Sequence, residues 1–145
     1  MSEPNTPGRL ERLRAAVEHH WQSHAGGVPT SVPGCPLDAT RRPQWVELWL
    51  AAEDGAASRR SVAASTLTVT VHVFVREAAD AHAAGRLVDR VRETFGGRTL
   101  DAGGGLCLRL HEAEVRDLTR ERSEESPSLL RHLVVIVGGR AVAAG

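Results

Sequence analysis

The chain has 145 residues, enough for one domain with a real core. Its eighteen basic residues, all arginine, balance eighteen acidic ones. It therefore carries no net field that would draw it onto nucleic acid or anionic lipid. No apolar run approaches the roughly 20 residues that span a bilayer. The start, MSEPNTPGRLER, lacks the apolar middle of a signal peptide, so the expected compartment is intracellular. Cys35 and Cys107 are distant and form no C-x-x-C pair, which argues for two free thiols rather than a disulfide framework or zinc ribbon. Abundant Ala, Gly and Arg, with no Lys or Tyr, reflect a GC-rich coding bias and speak of the host.

Residues 1–8, with two prolines, read as a frayed start, and 9–145 as a single domain. From Arg9, Leu10, Leu13, Val17 and Trp21 recur at helical spacing, and Gly26-Gly27 stops that helix near His24. Residues 28–43 hold four prolines and form a loop, with a short strand at Val28–Val32. Gln44–Ala52 alternates: Val46, Leu48 and Leu50 share one face, while Trp45, Glu47 and Trp49 share the other. Apolar residues on both faces imply a strand covered twice, or one whose second face meets a partner.

After a turn-rich connector at 53–61, Val62–Arg76 is the most regular strand. Leu67, Val69, Val71, Val73 and Val75 make its core face. Thr66, Thr68, Thr70, His72, Phe74 and Arg76 make the other. A second helix is predicted over 78–95, with Asp80 near its start and Ala84, Leu87, Val88, Val91 and Phe95 buried. Gly103-Gly104-Gly105 turns the chain sharply. Two strands follow: one over Leu106–Leu110, reaching Ala113 and Val115, and one set by Leu130, His132, Val134 and Ile136. The charged segment 119–128 links them as an exposed loop. The expected fold is α+β: a mostly antiparallel, twisted sheet of about four to five strands with two helices packed on one face.

Chemistry is sparse. His20 and His24 share a helix face, but Trp21 stands where a zinc protease needs its glutamate. His72, His111 and His132 lie on strands and could approach one another across the sheet, but His72 and His111 have no identified register, and unlinked they read as surface or partner contacts. GGGLC lacks the lysine and following helix of a phosphate loop. Arg41-Arg42 and Arg59-Arg60 are short basic pairs without an aromatic stacking platform. No catalytic, cofactor or metal-binding residue emerges.

The element order is more informative. An amphipathic helix (LERLRAAVEHHW) comes first, then a proline-led strand (PQWVELWL). A long strand running into a helix follows (TLTVTVHVFVREAADAHAAGRLVDRVRETF). Two strands, GLCLRLHEAEVRDL and LLRHLVVIVGG, flank a charged insertion. Over residues 9–142 this order resembles the tail terminator, or tail completion, proteins of tailed bacteriophages. The resemblance implies a virion tail or neck protein, made in the host cytoplasm, with no catalytic residues and no cofactor. It implies a homo-oligomeric ring, commonly a hexamer, that caps the tail tube, stops its growth and meets the head-side connector (stopper). DNA passes such a ring without sequence-specific binding, and no membrane is involved.

On that reading the contact residues are Thr68, Thr70, His72 and Phe74 on the long strand. Arg41, Arg42, Arg120, Glu121, Arg122, Glu124 and Glu125 join them in the loops. The competing readings are another head–tail neck protein of the same fold, a host adaptor domain, and a small metal-dependent enzyme using the strand or helix histidines.

Overall fold

The computed structural model describes residues 8–54, 65–76, 82–119 and 130–143. It holds two helices, α1 (Arg9–His24) and α2 (Ala83–Phe95). Seven strands accompany them: β1 (Thr30–Ser31), β2 (Gln44–Asp54), β3 (Ser65–Arg76), β4 (Thr99–Asp101), β5 (Leu106–Leu110), β6 (Glu114–Asp117) and β7 (Leu130–Ala143). They form one sheet in the order β1-β2-β3-β7-β5-β4, with β6 also paired to β7. Every pairing is antiparallel except β1–β2.

This corrects the expected fold. The molecule is mixed α/β, with a seven-stranded sheet curled into a half-barrel rather than an α+β sheet of four to five strands. Strands β1, β4 and β6 have two, three and four residues, too few to carry a hydrophobic period. β5 and β6, expected as one strand, are parted at 111–113. Leu110 pairs with Gly139 and Glu114 with Ile136, so three residues oppose two and β6 restarts one residue out of step. The extra residue and the Gly138-Gly139 pair opposite it give the sheet its bend.

Alternation on β3 builds the core. Leu67, Val69, Val71, Val73 and Val75 are all buried. Val71 faces Leu48 on β2 and Val135 on β7; Val69 faces Leu50 and Val137. α2 packs over β3 and β7, while α1 lies against α2 and β4. The helices bring Leu13, Val17 and Trp21 from α1 and Leu87, Val88, Val91 and Phe95 from α2 into the same cluster. Each such side chain contributes roughly 1.5–3 kcal/mol when fully buried. Trp21 stacks on Phe95 at 5.9 Å. Its indole N–H donates to Thr30 Oγ1 at 2.8 Å, so the polar tip is satisfied and β1 is tied to α1.

Glycines serve the sharp reversal between β4 and β5. Gly103, Gly104 and Gly105 all take positive φ, and Leu106 N–H donates to Gly103 O at 3.0 Å, folding β5 back along β4. The sheet ends at β1 on one side and at β4 and β6 on the other. β1 covers only Val46 and Glu47 of β2, so from Leu48 onward its outer side has no strand partner among the described residues. The outer side of β6 is likewise without one.

Candidate functional site

The helices cover one face of the sheet, and the other holds the sequence-predicted contact residues of β3. Register lines them up with β2 and β7 in rows. Trp45, Phe74 and His132 form one row, Glu47, His72 and Val134 the next, and Trp49, Thr70 and Ile136 the third. Thr68 stands between Ala51 and Gly138.

The first row is an aromatic stack. Trp45 and Phe74 rings lie 5.1 Å apart and nearly parallel, and Phe74 and His132 lie 4.4 Å apart. All three side chains are buried. His72, half-buried, reaches diagonally to this row: its Nδ1 is 2.8 Å from His132 Nε2. One ring donates and the other accepts. The Arg76 guanidinium caps the far end, 5.1 Å above the Trp45 ring. It also donates to Arg42 O at 3.0 Å and Ala39 O at 3.1 Å, pinning the loop that precedes β2.

The predicted contact residues therefore divide. Thr68 and Thr70 are half-buried and His72 is engaged by His132, while Phe74 is buried within the stack. Arg41 and Arg42 are exposed on the loop held by Arg76. Arg120, Glu121, Arg122, Glu124 and Glu125 lie outside the described residues, as does Asp80. Sequence reasoning passed over Trp45, Arg76 and His132 as members of one cluster. The available signal was parity, since Trp45 and Phe74 both sit on the non-valine face of their strands.

Trp49 is different. It is 51% exposed, the most exposed large apolar side chain described. Its indole reaches no further than Glu47 Oε2, at 3.5 Å. Across the sheet, Arg116 on β6 bonds Glu114 at 3.0 Å, and both side chains are about 60% exposed.

Histidine chemistry has little to work with. His72 and His132 are joined, but His111 stands beside Gly138, at the level of Thr68, four residues along β3. In α1, His20 Nε2 donates to Thr94 O at 2.7 Å and His24 Nδ1 to His20 O at 2.8 Å. Burial, with the neighbouring His24, Arg98 and His19 charges, holds the His20 pKa below its usual value despite the Thr94 bond. The His20 bond ties α1 to α2, while the His24 bond stays within α1. Among the described residues no three His, Cys, Asp or Glu side chains converge as a metal site would require. No described helix is long and apolar enough to cross a membrane.

No family model and no curated protein matches the chain. Solved structures do match. One, 13% identical, superposes with a TM-score of 0.63 over 94% of this chain and 97% of that chain. The likeness is one of fold: it shows that the arrangement over nearly the whole chain also exists in another protein.

Proposed function

We propose that this protein is a structural component of a phage-type tail, a terminator that forms a ring on the tube end. There it stops tube growth and meets the head-side connector. The observation that carries this reading is the outer edge of β2, which beyond Glu47 has no strand partner among the described residues and bears the half-exposed Trp49. An open strand edge with an exposed aromatic residue is a liability in a free monomer and a natural seam between copies. The order of elements, which resembles the tail terminators, supports the same reading. So does the balanced charge, which suits contacts between complementary patches.

The test is made on particles. Removing this chain from a particle-forming system is expected to leave tubes of uncontrolled length without heads, and adding the purified protein back is expected to restore a fixed length. Tubes of normal length that merely fail to join heads would reassign the protein to a neighbouring neck position. Normal, infectious particles would refute the reading altogether.

A further inference from the structure

We propose that the seam between copies is a shared β-sheet: strand β6 of one copy adds to the open edge of β2 on the next. The inference rests on the assembly reading above in requiring a second copy of the chain.

The two edges have matching polarity. β2, β3, β7 and β6 alternate in direction, so β6 runs antiparallel to β2. A neighbour set beside the first with its sheet in the same orientation continues the antiparallel pattern. Their hydrogen-bonding groups also match. Val46 N–H donates outward to Pro29 O at 2.9 Å, so by the two-residue period the backbone of Leu48, Leu50 and Ala52 also faces outward. On β6 the Leu118 N–H donates inward to His132 O at 2.8 Å, so Val115 and Asp117 present their backbone to the outside.

β1 occupies the edge at Val46 and Glu47. The first free register therefore sets Leu48 opposite Asp117, Trp49 opposite Arg116, Leu50 opposite Val115 and Ala51 opposite Glu114. Facing is preserved: Trp49, Arg116 and Glu114 stand on the open face, and Leu50 and Val115 on the helix side.

The side chains complement one another in this register. The exposed large apolar residues described are Leu10, Trp49 and Val115, and all three are used. On the helix side a groove of about 380 Å³, lined by Leu10, Glu11, Arg14, Leu50, Ala52 and Leu67, opens beside the free edge of β2. Val115 of the added strand, opposite Leu50, enters it. On the open face the Arg116 guanidinium comes over the Trp49 ring, a cation–π contact between directly opposed residues. Its present bond to Glu114 is an exposed one, which holds it weakly. Because β2 and β6 lie on opposite edges of one sheet, the contact is head-to-tail, and repeating it closes a ring where the rotation per copy allows.

Trp49 and Arg116 form a non-hydrogen-bonded pair in this register, close enough for a disulfide. In a Cys35→Ser, Cys107→Ser background, Trp49→Cys and Arg116→Cys chains are prepared separately, then oxidised alone and mixed. The expected result is a disulfide-linked dimer in the mixture and none in either chain alone. A dimer of Trp49→Cys with itself would overturn the head-to-tail pairing.

Native mass is read on the same samples and on Val115→Asp, whose folding is checked by circular dichroism. A folded Val115→Asp protein of single-chain mass, where the parent assembles, supports the seam. Multi-copy particles that neither cross-link in the mixture nor respond to Val115→Asp would overturn the seam and leave the ring standing. Single-chain mass and no cross-link at every concentration, with tube present, would remove both.

Discussion

His72 Nδ1 and His132 Nε2 lie 2.8 Å apart across β3 and β7, joining two histidines sixty positions apart in the chain. The bond runs diagonally, since His72 pairs with Val134 and His132 with Phe74. It clamps the two central strands where the aromatic stack is buried. His132 is the buried partner, and leaving a buried polar group without a bond costs about 1–3 kcal/mol. His72→Ala is therefore expected to lower unfolding free energy by that amount in urea titration. Thr70→Ala, one row along the same face, is expected to change it little.

Arg76 holds its loop by two carbonyls and one ring face. A lysine carries the charge without the planar fork. Both Arg76→Ala and Arg76→Lys are expected to speed amide hydrogen exchange at 38–42, with a global loss of only about 1 kcal/mol. Unchanged exchange in that loop would show that Arg76 does not pin it.

His20 supplies a pH dependence whose sign follows from its environment. Its pKa is lowered from 6.5, chiefly by burial, so the unfolded chain takes up its proton first as pH falls. Its contribution is complete above about pH 6.5 and declines as pH drops toward the folded-state value. In His20→Ala the protein is expected to be less stable at alkaline pH, yet to lose less stability between pH 7 and pH 5. Parallel stability–pH curves for the two proteins would contradict this.

Gly138 and Gly139 are adjacent but not equivalent. A Cβ at Gly139 would stand 2.8 Å from Leu110 Cδ2 and 3.2 Å from the Arg109 carbonyl, whereas one at Gly138 would meet His111 at an ordinary 3.7 Å. Overpacking of this kind costs typically about 1–3 kcal/mol. Gly139→Ala is expected to fall in that range and Gly138→Ala well below it, measured by thermal or chemical denaturation.

Long periodic elements were legible in the sequence. α1 begins and ends at Arg9 and His24, and all five alternate apolar residues of β3 are buried, because helical and strand periods each repeat several times there. What escaped was short or relational. β4 has three residues, and the bulge at 111–113 turns on a mismatch with a strand some twenty residues downstream. β7 runs to Ala143, past the Ile136 that closes its sequence period, because pairing with β3 and β5 carries the strand through Gly138-Gly139. The His72–His132 bond required knowing that Val71 faces Val135, which no single strand declares. The open edge of β2 is also a property of the whole sheet.

The central claim, that copies of this chain join into a closed ring, is tested most directly by the native mass of the purified protein with and without tail-tube ends. The expected result is a discrete closed oligomer, most readily six copies, seen as an annulus in negative stain and enriched at tube ends. A mass of one chain that persists in the presence of tube would contradict it.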